Sequence, residues 1–122
     1  MILPKFDRLV IPTEKFTKYV LDPVHQKDKA LAFKLALGFT IADTEILIEK
    51  IRLGVSVFTA EKKSVCEWGE RYQVIIRMNG RNGKIANILT GWIDDNKTGE
   101  MRLTSAYITK REVSINDRNK TV

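Results

Sequence analysis

Apolar and polar positions alternate with a period of two from Glu70 to Met78 (ERYQVIIRM), with Tyr72, Val74, Ile76 and Met78 on one side and Arg71, Gln73, Ile75 and Arg77 on the other. That period predicts a half-buried strand with an apolar face and a partly polar one. Gly80-Arg81-Asn82-Gly83 follows, and its Asn-Gly pair predicts a tight type I′ hairpin turn. Lys84 to Ile93 returns, Asp94 to Gly99 (DDNKTG) turns again, and Met101 to Ile108 (MRLTSAYI) makes a third strand. These stretches describe an antiparallel meander.

Before Glu70 the spacing of apolar residues is helical. Ile2 to Ile11 (ILPKFDRLVI) is short, partly alternating and proline-bounded, which suits an edge strand or an extended arm. Thr13 is placed to cap a first helix with Phe16, Tyr19 and Val20 as its apolar stripe, stopped by Asp22-Pro23. Asp28 is placed to cap a second helix ending at Gly38, and because that helix is apolar on most sides it should pack on the sheet. Thr40 and Asp43 resemble a capping box for a third helix, with Ile41, Ile48 and Ile51, or Leu47 and Ile51, supplying its buried face and Gly54 closing it. Val55 to Ala60 reads as a short strand and Glu61 to Trp68 as a charged connection. Helices first and a meander afterwards predict an α+β fold, with the N-terminal helices packed on one face of a C-terminal antiparallel β-meander. The expected organisation is one domain over residues 1–109 and a polar C-terminal tail over 110–122 (KREVSINDRNKTV in the sequence).

Charge narrows the range of partners. Lys+Arg of 21 against Asp+Glu of 15 gives a formal net charge of +6, which favours acidic partners such as nucleic acid or an acidic protein. The single cysteine, Cys66, leaves no internal disulfide and no multi-cysteine metal site, and with one histidine present neither a metal nor a cofactor is expected. No apolar run approaches the ~20 residues needed to cross a bilayer, and Met1-Ile2-Leu3-Pro4 lacks the basic start and long apolar core of a signal peptide. A cytoplasmic protein, or one delivered into a target-cell cytoplasm, is the expectation, with no membrane partner.

His25 is the only side chain whose ordinary pKa lies near neutrality, and it stands just before a predicted helix beside Lys27 and Lys29. It reads either as a surface loop histidine or as a general acid or base. The free N–H groups of a helix N-terminus, with Lys29 inside its first turn, suit a phosphate. Arg71 projects from the polar side of its strand, and Ser105 and Tyr107 share a strand face by parity. These three read either as a solvated sheet surface or as groups that grip a phosphate and a stacked base. Trp92 reads as core.

Several short motifs together resemble a family of uncharacterised bacterial domains that occur alone and at the C-terminal ends of polymorphic toxins. They are Leu3-Pro4, Lys15 with Tyr19 and Leu21, Pro23-x-His25, Lys29-Ala30-x-x-Phe33, Leu37-Gly38-Phe39, Gly69-x-Arg71-Tyr72, Gly91-Trp92-Ile93 and Leu103-x-Ser105-x-Tyr107. That family is in turn similar to the barnase/EndoU/RelE-like ribonuclease superfamily, in which N-terminal helices precede an antiparallel sheet and RNA is cut without a metal. The resemblance implies a metal-independent endoribonuclease toxin, with His25, Lys29, Arg71, Ser105 and Tyr107 as catalytic residues converging on one cleft. It also implies RNA as substrate and an inhibitor, an immunity or antitoxin protein that the charge predicts to be acidic. The family usually has threonine where this chain has Ser105, which keeps the hydroxyl. A non-catalytic binding module on the same fold, such as an immunity protein, antitoxin or adaptor, is the alternative.

Overall fold

Tyr72, Val74, Ile76 and Met78 are buried and the residues between them are more exposed, so the strongest alternation in the sequence is the floor of the core. The computed structural model describes residues 1–122. In order the chain forms β1 (Leu9–Val10), a π turn (Phe16–Val20), α1 (Lys27–Leu37), a 3₁₀ turn (Ile41–Asp43) and α2 (Thr44–Val57). β2 (Ala60–Cys66), β3 (Gly69–Asn79), β4 (Ile85–Asp95), β5 (Met101–Thr109) and a last 3₁₀ turn (Ile115–Asp117) complete it. The sheet order is β1-β5-β4-β3-β2, antiparallel except for the short parallel pair of β1 with β5. This is the expected α+β fold, with helices ahead of a mostly antiparallel sheet.

The sheet has five strands where the meander gave three. The segment expected as a charged connection is largely β2, whose burial is slight because it is an edge strand carrying Lys62, Lys63 and Glu61 in water, so no apolar alternation marks it. Val55 to Val57, expected as strand, completes α2. Gly54 does not end that helix: α2 crosses β3 there, and a methyl group on Gly54 would stand 2.7 Å from Ile76. Leu47, Ile48, Ile51 and Val55 form the buried stripe of α2, while Ile41 is partly exposed. α1 is preceded by Gln26 rather than capped by Asp28, which sits in its first turn, and α1 ends at Gly38 with φ 72°. The first helix is a single π turn, closed by Leu21 N–H donating to Phe16 O at 2.8 Å; Phe16 and Val20 are buried but Tyr19 faces out.

The hairpin between β3 and β4 is not type I′. Gly83 takes a positive φ of 80° and Asn82 does not, the pattern of a type I turn followed by a left-handed glycine. This wider tip docks on α1, where Arg81 N–H donates to Leu37 O at 2.8 Å. The final stretch is largely irregular and is tied back across the sheet. Asn87 Nδ2 donates to Arg111 O at 2.9 Å, Asp117 Oδ2 accepts Thr59 N–H at 2.8 Å, and Val122 exchanges backbone bonds with Arg77 and Asn79 beyond the end of β2.

Asp43 joins three elements. Its Oδ2 accepts the Thr40 N–H at 2.9 Å, and its Oδ1 accepts from Arg81 on the hairpin tip. The Thr40 N–H, and after it the Arg81 guanidinium, hold its carboxyl below the ordinary value against desolvation. For Asp117 desolvation is the largest influence and raises the pKa, but the Thr59 N–H and Lys120 together bring it below the ordinary value. A folded-state pKa below the unfolded one gives stability that is present above the unfolded value, about 3.9, and lost as pH falls through the folded value. The urea midpoint should therefore be level from about pH 7 to 5 and drop below about pH 4. Asp43→Ala should cost about 1–3 kcal/mol at neutral pH and flatten that acid slope.

Candidate functional site

β1 covers β5 only at Met101 and Arg102, so from Thr104 onward the outer edge of β5 has no strand beside it. The π turn and α1 pack against this edge instead. Between them lies a cavity of about 210 Å³ lined by Lys15, Tyr19, Val20, Lys29, Leu103, Thr104, Ser105 and Ala106. A neighbouring hollow of about 410 Å³ places Lys29 and Asp28 beside Tyr107. The structure thus brings Lys29, Ser105 and Tyr107 together along one edge.

The hydroxyls here are aimed by a β-bulge. Gly91 pairs with Ser105 but Trp92 pairs with Leu103, so Thr104 is the extra residue in β5. A methyl group on Gly91 would stand 2.6 Å from Ser105 Oγ and 3.1 Å from Thr104 Oγ1, so the missing side chain is the space both hydroxyls use. Lys15 Nζ donates to Thr104 O at 3.3 Å, tying the π turn to the bulge. No sequence signal marks the bulge, which is why Thr104, Lys15 and Tyr19 do not emerge as site residues from strand parity.

His25 lies in the turn before α1 and does not line either space; its side chain is 77% exposed. Its Nδ1 stands 2.7 Å from Asp22 Oδ2, and Asp22 Oδ1 accepts the Val24 and His25 N–H groups. A carboxylate only accepts, so Nδ1 carries the proton and Nε2 is directed outward as an acceptor in the neutral ring. The bond from His25, then that from Val24, lowers the Asp22 pKa.

Arg71 shares the outward face of the sheet with Ser105 and Tyr107. The register runs Arg71–Ile93–Arg102, Gln73–Gly91–Ser105 and Ile75–Leu89–Tyr107. Two strand spacings put it roughly 10 Å or more from β5. The Trp68 N–H first, and the Arg71 side chain second, lower the pKa of the Cys66 thiol. Trp92 is 1% exposed, with Nε1 donating to Thr90 Oγ1 at 2.9 Å. Trp68 is half exposed, with Lys97 Nζ 5.1 Å from its ring centroid.

A family profile described as "Domain of unknown function (DUF6883)" matches residues 2–110. No curated protein matches the chain. Among solved structures, the fold is similar to a chain of a contact-dependent growth inhibition toxin–immunity protein complex from Klebsiella pneumoniae 342. The TM-score is 0.64 at 15% identity, over 82% of this chain and 99% of that one. At that identity the likeness is one of fold.

Proposed function

We propose, given that the chain belongs to the family Domain of unknown function (DUF6883), that it is the toxin of a toxin–immunity system and acts as a metal-independent endoribonuclease in a target-cell cytoplasm. The observation that carries this reading is the meeting of Lys29 with Ser105 and Tyr107 on the strand-free edge of β5. Lys29 lines one space with Ser105 and the neighbouring one with Tyr107, and a lysine beside hydroxyl-bearing residues suits a phosphodiester. The fold shared with a chain of a toxin–immunity complex, the motif resemblance to a bacterial domain family that occurs at the ends of polymorphic toxins and the charge of +6 support the same reading. An acidic immunity protein is the expected protein partner.

In this mechanism the 2′-hydroxyl attacks the adjacent phosphorus, the bond to the 5′-oxygen breaks and that oxygen takes a proton from water, leaving a 2′,3′-cyclic phosphate and a 5′-hydroxyl. His25, held by Asp22 with Nε2 outward, takes the proton of the attacking hydroxyl. Lys29 offsets the developing charge and Ser105 or Tyr107 orients the phosphate. Arg71 meets the RNA backbone farther along the same sheet face. The exposure of His25 favours a second reading, a non-catalytic binding module that uses the basic surface alone. Purified protein incubated with total RNA in EDTA separates the two. Discrete fragments ending in cyclic phosphate support the nuclease, and intact RNA over a range of protein concentrations supports the binding module.

A further inference from the structure

α1 is apolar on more than the face it buries. Ala30, Phe33 and Leu37 pack inward, while the opposite side of the helix carries Leu31 and Leu35, which stay 51% and 61% exposed. Four residues apart, the two leucines form one ridge in water. Toward β5 this ridge adjoins the hollow of about 410 Å³ lined by Asp28, Lys29, Ala32, Tyr107 and Ile108. Ala32, three residues before Leu35, links the two.

Lysines frame this surface. By helical spacing Lys27 and Lys34 lie on one flank of the ridge and Lys29 on the other. All three are exposed and none is in an ion pair. Asp28 is the one acid in the helix. An apolar centre inside a rim of mostly positive charge is the anatomy of an interface whose partner is an acidic protein. Other occupants fit less well. Two copies meeting through α1 would set Lys27 and Lys34 of one against those of the other. An anionic bilayer would meet Asp28 on the ridge line and only two leucines. A nucleic acid gains no hydrogen bond from Leu31 or Leu35.

We infer that Leu31 and Leu35, with the hollow beside them, are the docking surface for an acidic partner protein that seats an apolar side chain there inside a ring of carboxylates. Naming that partner the immunity protein rests on the toxin reading, while the surface stands without it. A partner seated here also covers Lys29 and Tyr107, which line the same hollow, and so keeps RNA from them.

The test is titration of the whole chain with a designed helical peptide that carries leucine and phenylalanine on one face and glutamate on both flanks, followed by backbone amide resonances. Those of Leu31, Ala32 and Leu35 should move, and that of Leu53, exposed on α2, should not. Leu31→Ser with Leu35→Ser should weaken binding about tenfold or more and leave the urea midpoint and the rate of RNA cleavage in place. Lys27→Met with Lys34→Met should weaken binding severalfold and flatten its salt dependence. Leu53→Ser, which removes a similarly exposed leucine elsewhere, should stay within about twofold. Unmoved resonances, losses in Leu53→Ser equal to those of the double variant, or equal binding of a peptide with lysine in place of glutamate overturn the surface. Binding to vesicles of phosphatidylcholine and phosphatidylglycerol, or dimerisation in sedimentation, that is abolished by the leucine double variant overturns the acidic partner in favour of a membrane or a second copy. Saturating peptide should stop RNA cleavage, and undiminished cleavage overturns the covering of Lys29 and Tyr107. Peptide binding to a chain that cuts no RNA sinks the ribonuclease reading and leaves the surface, whereas RNA cleavage by a chain that the peptide does not bind does the reverse.

Discussion

Trp92→Ala will destabilise the protein by about 3–5 kcal/mol, a large part of the roughly 5–15 kcal/mol that holds a domain together. Trp92 is 1% exposed in the middle of β4, paired with Tyr72 on one side and Leu103 on the other. Truncation empties the largest fully buried side chain of the core, and neighbours held in strands can only partly relax into the space. The indole also anchors a polar chain, since its Nε1 donates to Thr90 Oγ1 and that hydroxyl donates to Val74 O at 2.8 Å. Thr90→Val should therefore cost about 1–3 kcal/mol with little change in volume, by leaving the indole N–H and a strand carbonyl unpaired. Trp92→Phe should fall between wild type and Trp92→Ala. Urea denaturation at neutral pH measures all three, and a Trp92→Ala midpoint near wild type would mean the core is not packed as described.

His25→Ala will lower the rate of RNA cleavage by at least ~10²-fold, the range for losing a general acid or base. It will leave the urea midpoint almost unchanged, because the side chain is mostly in water and its one partner, Asp22, keeps the Val24 and His25 N–H groups. Lys29→Met should cost a comparable factor through lost charge stabilisation. The combination of a large rate effect with an intact fold is what separates catalysis from packing. For a binding module, His25→Ala would leave the biological effect, growth arrest or its relief, as it was. A cleavage rate within a few-fold of wild type would remove His25 from the mechanism.

The residues whose environment is set by their own strand were legible in the sequence. The period-two pattern of Tyr72 to Met78 identified the core face, and Trp92 read as core for the same reason. The Thr40–Asp43 cap was readable because its partners lie three residues apart, but the Arg81 contact that completes it comes from 38 residues away. β2 was missed because an edge strand faces water on both sides and shows no apolar alternation. Parity put Ser105 and Tyr107 on one face and left open whether Arg71 joins them; the register places it there, yet parity carries no information about distance across the sheet, so it could not say how far Arg71 stands from β5. The bulge at Thr104 breaks parity locally, and the arrival of Lys15 and Tyr19 at the β5 edge is a tertiary event with no local signature.

Attack by the 2′-hydroxyl is the step on which the proposed function depends. The direct measurement is cleavage, in EDTA, of a short RNA containing one mapped cleavage position, beside the same oligonucleotide carrying a single 2′-deoxy sugar there. The expected result is cutting of the first to a cyclic phosphate and a 5′-hydroxyl, and no cutting of the second at that position. Cleavage of the deoxy-substituted strand at an undiminished rate would contradict the account.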